Sequence, residues 1–207
     1  ERIFVGTDSS IFYPKPEEAE KKNSNFLVHF HGHYIPLQGV EHIIRAAKLL
    51  EDENITFNLI GRGQTYRKDR ELAEKLDVKN INFINSVPYK ELPDYINKAD
   101  ICLGIFGNTL KTELVIPNKI FEAIACAKPV VTADTPACRE LFNDGQNIIF
   151  CRKADPEDLA EKIKILKNDE MLRRKISENG YLIFKNELQE KKLAAGVVKL
   201  ANGLLSQ

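Results

Sequence analysis

The sequence predicts an α/β fold in which a parallel sheet carries helices on both faces. Short β-rich runs alternate along the chain with amphipathic helical patterns, which is typical of parallel sheets. The runs are apolar on both sides, as strands that are covered on both faces must be. With 207 residues, the chain is long enough for one such domain and short for two.

Six short runs predict the strands. The first is FLVHF at Phe26–Phe30, and after a turn it is followed by a helical pattern whose apolar stripe runs from Val40 to Leu50. The second is Ile55–Ile60, which ends at a Gly-Arg-Gly turn. The other four runs are Ile81–Ile84, Ile101–Phe106, Pro129–Thr132 and Ile148–Phe150. We therefore expect a sheet of about six strands.

Helix signals lie between these runs. Pro117 opens a helix near its first position, and Thr135-Pro136 and Asp155-Pro156 each combine an N-cap residue with such a proline. Residues Gly107–Val115 carry no helical pattern, so we expect a loop there. Periodicity predicts further helices at Tyr66–Leu76, at Tyr89–Ala99 and in segments that continue to the C-terminus.

Composition excludes several classes of protein. Hydrophobic residues make up 43% and charged residues 29%, which rules out disorder, collagen-like repeats and a disulfide scaffold. Lys plus Arg (30) equals Asp plus Glu (30), so the excess positive charge that nucleic-acid binding needs is missing. The longest apolar runs are far shorter than the ~20 residues that cross a bilayer.

The cysteines and the N-terminus indicate the compartment. The four cysteines contain no CxxC pair, and such widely spaced cysteines predict reduced, buried thiols and a cytoplasmic location. The first residues, Glu-Arg-Ile-Phe, have no secretory pattern and no initiator Met. We therefore expect a processed chain or an excerpt of a longer one.

Loops at the carboxyl ends of the strands are the candidate sites, because ligands bind there in sheets of this type. The glycines of loop Gly32–Gly39 allow close approach to the backbone, although such a turn is often purely structural, and the next helix offers N–H groups to an anion. His29, His31 and His33 alternate, as a metal site on one strand face would require. We expect no metal there, because the strand ends near Gly32 and that face packs under a helix. His33 is expected to donate a hydrogen bond to a ligand.

The helix that Pro117 opens carries the clearest chemistry. Asn118 and Lys119 lie in its first turn, where a cation opposes the helix dipole unless it faces an anion such as phosphate. Glu122 lies one turn further, where it could accept hydrogen bonds from sugar hydroxyls. A surface pair between Lys119 and Glu122, worth about 0.3 kcal/mol, explains the pattern equally well.

Five segments share a pattern with one family of enzymes. They are VGTDSSIFYP, FHGHYIPLQGVEHIIRAAKLL, FNLIGRG, INFINSVPYKELPDYINKADICL and PNKIFEAIACAKPVVTADTPACRELFNDGQN. In this order they resemble, over essentially the whole chain, the C-terminal domain of GT-B glycosyltransferases of family 4, also called group 1. The resemblance implies a Rossmann-like domain that binds a nucleotide sugar, in an enzyme whose other half binds the acceptor.

The resemblance also implies site residues by position. Lys119 and Glu122 match the family branch written Pro-x-Lys-x-x-Glu, in which the lysine approaches the diphosphate and the glutamate binds the nucleotide ribose. Ser86 and Val87 match strand-end positions whose backbone meets the base. Lys119 and His33 are the implied catalytic residues. The implied nucleotide-sugar-binding set is Gly32, His33, Gln38, Arg62, Ser86, Val87, Asn118, Lys119 and Glu122.

Two departures from the family pattern concern the donor. The first glutamate of the family's E-x7-E motif falls at Leu114. The arginine and lysine that grip the diphosphate in the first loop fall at His33 and Gln38, neither of which carries a fixed charge. The loss of these two positive charges could cost several kcal/mol of free energy of diphosphate binding, at ~1.5–3 kcal/mol per charge-assisted hydrogen bond. Either Lys119, Arg62 and helix N-termini compensate, or donor binding is altered.

The implied reaction transfers a sugar from a nucleoside diphosphate to an acceptor hydroxyl with retention of configuration, in glycan or glycoconjugate biosynthesis. Positioned cations and amide donors, with no metal or other cofactor, would stabilise the leaving group. A non-catalytic nucleotide-binding or interaction module of the same fold is the alternative, and the weakened first loop favours it. A stand-alone phosphosugar enzyme is a third possibility, because fold does not fix function.

The resemblance sets the expected organisation as well. Residues 1–207 would form a single domain, with a linker-like segment at 1–24 and a helical segment at 179–207. The N-terminal acceptor-binding domain would be absent, so the isolated chain is expected to have no transferase turnover. The expected partners are the nucleotide sugar and that missing domain, through which alone the protein could associate with a membrane surface. No nucleic acid is expected.

Overall fold

Six parallel strands form one sheet. The computed structural model describes residues 3–16 and 25–205, although not the side chain of residue 204. The strands lie in the spatial order β3-β2-β1-β4-β5-β6, and each neighbouring pair is parallel. Their bounds are β1 Phe26–His31, β2 Ile55–Ile60, β3 Ile81–Ile84, β4 Ile101–Leu103, β5 Val130–Ala133 and β6 Ile149–Cys151. The predicted α/β fold with a six-stranded parallel sheet is confirmed.

Helices connect the strands. Both predicted N-caps are present, since Thr135 accepts a hydrogen bond from the Cys138 amide and Asp155 accepts one from the Asp158 amide. Short 3-10 turns at Pro36–Gln38 and Tyr89–Glu91 precede α1 and α3, and a π-helix at Phe184–Leu188 separates the last two helices. The helix bounds are α1 Val40–Leu49, α2 Tyr66–Lys75, α3 Leu92–Lys98, α4 Leu110–Leu114, α5 Asn118–Ala125, α6 Pro136–Arg139, α7 Pro156–Asn168, α8 Glu170–Ile183 and α9 Glu190–Leu205.

The core lies on both sides of the sheet. On one side, the predicted apolar stripe of α1 packs with α7, and buried residues there include Ile43, Ile44 and Leu159. On the other side, α3 and α5 contribute Ile96, Phe121 and Ile124 to a second cluster. The double coverage explains why the strands are apolar on both sides. It also fixes α5, which carries the candidate lysine and glutamate, against the sheet.

The structure differs from the prediction between β4 and α5. The strand predicted at Ile101–Phe106 is shorter, since β4 comprises Ile101–Leu103. Backbone bonds to β5 continue to Ile105, whose carbonyl accepts from the Ala133 amide (3.0 Å), and the Phe106 amide then bonds to the Gln38 carbonyl in the first loop (3.0 Å). The loop predicted at Gly107–Val115 contains the short helix α4. Thr109 starts it by accepting a hydrogen bond from the Thr112 amide (3.2 Å), a capping signal that the interpretation of this segment overlooked.

The segment expected to be linker-like packs against the fold where it is described. Phe12 is fully buried in the cluster beside α5, and Ser9 Oγ donates to Glu190 at the start of α9 (2.9 Å). Residues 1–2 and 17–24 of that segment, and 206–207 of the predicted C-terminal segment, lie outside the described residues. Within the described ranges, no helix is long and apolar enough to span a bilayer.

The four cysteines are free and buried, at Cys102, Cys126, Cys138 and Cys151. Burial raises the pKa of each thiol, that of Cys126 to about 12, because the charged thiolate is poorly solvated in the core. The thiols are therefore inert packing groups in this fold. Buried, free thiols fit the expected reduced state, and the cytoplasmic location stays a prediction.

Candidate functional site

The candidate site lies at the carboxyl edge of the sheet, where strand order changes direction. β1 pairs with β2 on one side and with β4 on the other, so the loops after β1 and β4 leave the sheet side by side. The two loops hold each other through backbone bonds from Phe106 to Gln38 (3.0 Å) and from Gly107 to Leu37 (3.2 Å). In parallel α/β sheets such a switch point is the usual ligand-binding crevice.

The first loop leaves room for a side chain of α5. Gly32 follows β1 with φ +153°, and a β-carbon at this position would lie 2.9 Å from Lys119 Nζ. The loop then forms the 3-10 turn Pro36–Gln38, in which residue Gln38 is only 9% exposed. The Gly32–Gly39 loop and the start of α5 therefore meet at one place.

Lys119 is a buried cation with a neutral partner. Its side chain is in the first turn of α5, the residue is 7% exposed, and Nζ donates to Gln38 Oε1. The ammonium also lies 4.3 Å from the centre of the Phe30 ring. Burial lowers the pKa of Lys119 to about 7, and the nearby negative charge of Glu122 offsets only part of that effect.

Glu122 is held by an imidazole and not by the lysine. The carboxylate is 7% exposed, and its Oε2 lies 2.6 Å from His31 Nε2. His31 Nδ1 in turn lies 2.9 Å from Nε2 of His29, which is 1% exposed. Because Lys119 and Glu122 are both buried, the alternative of a surface ion pair between them is wrong.

The remaining predicted residues lie at the rim of this edge. Arg62 is exposed in the loop after β2, where its guanidinium donates to Asn85 Oδ1 at 3.1 and 2.7 Å and lies over the Tyr66 ring. Ser86 is exposed after β3, as are Asn118 at the start of α5 and His33 in the first loop, whereas Val87 is half-buried. The structure thus brings Gly32, Gln38, Lys119 and Glu122 together, and it leaves His33, Arg62, Ser86, Val87 and Asn118 around them.

The three alternating histidines do not stay on one face. His29 and His31 point under α5 and are buried, whereas the turn at Gly32 carries His33 out to an exposed position. Among the described residues, no group of three or more His, Cys, Asp or Glu side chains is arranged to hold a metal ion. Sequence reasoning missed the contact between His31 and Glu122, because alternation places a histidine on a face without telling what packs against it.

Comparisons with known proteins agree with this architecture. The family model described as glycosyl transferases group 1 matches residues 14–183. An uncharacterized glycosyltransferase of Methanocaldococcus jannaschii is 30% identical over 205 residues, which is 96% of this chain and 52% of the relative. A Campylobacter jejuni enzyme named N,N'-diacetylbacillosaminyl-diphospho-undecaprenol alpha-1,3-N-acetylgalactosaminyltransferase is 24% identical, covering 85% of this chain and 47% of that enzyme. The chain thus spans about half the length of these curated relatives.

Solved structures share the fold. The C-terminal domain of a glycosyl transferase group 1 family protein from Francisella tularensis aligns with a TM-score of 0.75 and 23% identity, covering 89% of this chain and 100% of that one. Anabaena HepE, solved with UDP and glucose, aligns with a TM-score of 0.83 and 19% identity, covering 97% of this chain and 56% of HepE. The sequence motifs, the sheet order and these matches lead to one conclusion: the chain belongs to the group 1 family of glycosyltransferases and has the Rossmann-like α/β fold of the C-terminal domain of GT-B enzymes.

Proposed function

We propose that this chain binds a nucleoside-diphosphate sugar at the carboxyl edge of its sheet and is the donor-binding half of a retaining glycosyltransferase. The observation that carries the proposal is the environment of Lys119, a buried ammonium whose hydrogen-bond partner is the neutral Gln38 amide. An anion that reaches this position gains a charge-assisted hydrogen bond that the amide cannot match. The diphosphate of a nucleotide sugar is such an anion.

The geometry supports a donor site in which two side chains bind different parts of the nucleotide sugar. Lys119 and the free amides at the N-terminus of α5 face the diphosphate, while Glu122, one turn further, accepts hydrogen bonds from the ribose. His33, exposed in the first loop, donates to the diphosphate or the sugar. Lys119 compensates in part for the fixed charges that His33 and Gln38 lack, and Arg62, Ser86 and Val87 border the nucleotide from the neighbouring loops.

In the proposed reaction, the bond between the anomeric carbon and the diphosphate oxygen breaks. The acceptor oxygen bonds to the same face of that carbon, and the products are a glycoside, a nucleoside diphosphate and a proton. Lys119 and the backbone amides stabilise the charge that develops on the leaving diphosphate, without a metal ion. We propose that a second half of the enzyme binds the acceptor, so this chain alone should have no turnover.

The relatives' names support a role in glycan assembly. The Campylobacter jejuni relative is named for transfer to a lipid-linked sugar, and a relative in Staphylococcus aureus is named for capsular polysaccharide biosynthesis. HepE was solved with UDP and with UDP-glucose, which makes UDP the first probe for this chain. The alternative, a nucleotide-binding module without catalysis, rests on the uncharged Gln38 and His33 in the first loop.

Two substitutions test the proposed site. Lys119→Ala should weaken UDP binding about ten- to hundred-fold and leave uridine binding unchanged, because it removes one charge-assisted hydrogen bond to the diphosphate (~1.5–3 kcal/mol). Glu122→Ala should weaken UDP and uridine alike, because its contact is to the ribose. Calorimetric titration of the three proteins with both ligands separates these effects.

The matched control is Lys199→Ala, which removes an exposed lysine on α9 and should leave both affinities unchanged. If Lys119→Ala and Glu122→Ala also bind both ligands as the parent chain does, the donor site is elsewhere.

A further inference from the structure

Three polar side chains form a buried line behind the proposed ribose contact. His29 is 1% exposed, His31 8% and Glu122 7%. The two gaps along the line are 2.9 Å, from His29 Nε2 to His31 Nδ1, and 2.6 Å, from His31 Nε2 to Glu122 Oε2. The other ring nitrogen of His29, Nδ1, is buried and has no hydrogen-bond partner in the described structure. The line therefore ends at His29.

The unpartnered nitrogen decides which way the hydrogen bonds run. An ionised Glu122 can only accept, so His31 Nε2 carries the proton and donates. If His31 also donated from Nδ1, neutral His29 would have to place its own proton on Nδ1, as a buried N–H with no acceptor. Such orphaned N–H groups are rare because they cost the full desolvation penalty. His29 Nε2 therefore donates to His31, and His31 Nε2 donates to Glu122.

The charge state of His29 agrees with this direction. Burial holds the pKa of His29 well below its usual value, because a charged imidazole is poorly solvated there, and the nearby ammonium of Lys119 lowers it further. A neutral His29 can donate from one nitrogen only, and Nε2 is the nitrogen with an acceptor. The tautomers of both histidines are thus fixed by their surroundings.

We propose that His31 is a positioning residue for ribose recognition, and that His29 fixes its tautomer. The inference rests on the proposed function, in which Glu122 accepts the ribose hydroxyls. With Oε2 bonded to the imidazole, the carboxylate cannot rotate freely, and Oε1 is the oxygen proposed to accept the ribose hydroxyls. His31 thereby favours nucleotides that carry ribose hydroxyls over those that lack them, without contacting the ligand itself.

The test compares UDP with 2′,3′-dideoxy-UDP, which lacks both hydroxyls that Glu122 is proposed to bind. The parent chain should bind UDP at least tenfold more tightly. His31→Phe keeps the ring but removes the donor, so it should lose about tenfold in UDP affinity while its dideoxy-UDP affinity stays unchanged. His31→Gln can donate an amide N–H from nearly the position of Nε2 and should restore most of the preference. His42→Gln, a half-buried histidine on α1, is the control and should behave as the parent.

The possible outcomes separate this inference from the proposed function. A parent chain that binds no UDP, or that does not distinguish the two ligands, overturns the ribose role of Glu122 and this inference with it. A parent that distinguishes them, with His31→Phe retaining the preference or losing affinity for both ligands equally, overturns the inference alone. Nitrogen-15 NMR of the unsubstituted chain is a second test that needs no variant to fold. Nε2-protonated tautomers are expected for both His29 and His31, and a proton on His29 Nδ1 would overturn the inference.

Discussion

Replacing Lys119 with methionine is expected to make the chain more stable at pH 7 and at the same time to weaken UDP binding at least tenfold. The folded chain holds the pKa of this lysine at about 7, against an ordinary value of 10.5. A difference of that size corresponds to about 5 kcal/mol as an upper bound on the cost of burying the charge. Methionine has a similar length and no charge, so it should recover part of that cost, while the diphosphate loses its cationic partner.

The pH dependence of this gain is the sharper measurement. Between pH 7 and 10.5 the unfolded chain keeps the lysine proton and the folded chain releases it, so the free energy of unfolding of the parent rises with pH. Below about pH 7 both states are protonated at Lys119 and the full penalty applies. Urea unfolding from pH 6 to pH 10 should therefore show the advantage of Lys119→Met shrinking as the pH rises. A constant advantage, or equal behaviour of Lys199→Met, would contradict this account.

Alanine at Gly61 is expected to destabilise the chain by about 3 kcal/mol or more and to disturb the donor loop. Gly61 has φ +133°, which L side chains rarely adopt, and a β-carbon there would lie 2.0 Å from the Gly32 carbonyl oxygen. The positive φ costs ~1–2 kcal/mol, and forcing apart two backbones adds ~1–3 kcal/mol. Because Gly32 borders Lys119, UDP affinity should fall as well. The free energy of unfolding in urea and a UDP titration measure both effects.

A substitution at Gly145 distinguishes the cost of backbone strain from the cost of steric overlap. It also has a positive φ, +67°, but nothing lies within 4 Å of a β-carbon built there. Gly145→Ala should therefore cost only the ~1–2 kcal/mol of backbone strain and leave UDP affinity unchanged. Equal losses of stability in the two variants would mean that the contact between the Gly61 and Gly32 backbones contributes nothing.

The sequence predicts the framework of this fold because the framework depends on local patterns. Apolar runs and capping residues set the strands and most helices, and the rule that parallel strands end at one edge was enough to bring Lys119 and Gly32 together. Where a strand ends depends on distant partners. The chain after β4 leaves β5 at Phe106, whose amide bonds to the Gln38 carbonyl, and no pattern within that run predicts this contact.

Side-chain pairing in the site could not be predicted for the same reason. His31 and Glu122 are 91 residues apart in sequence, and Gln38 and Lys119 are 81 apart. The spacing of Lys119 and Glu122 on one helix suggested that they pair with each other. The partner of each side chain is set by the packing of α5 against β1 and by the conformation of the first loop.

The contact between residues 3–16 and α9 has a consequence for local unfolding of the chain. Ser9 donates to Glu190, Gly6 lies against Leu188 and Leu193, and Phe12 is fully buried. Regions that protect one another in this way exchange their amide hydrogens as one cooperative unit. The amide of Phe12, which bonds to the Asp8 carbonyl, should exchange at the rate set by release of α9. Proteolytic removal of α9 would then expose a segment that lies at the opposite end of the sequence.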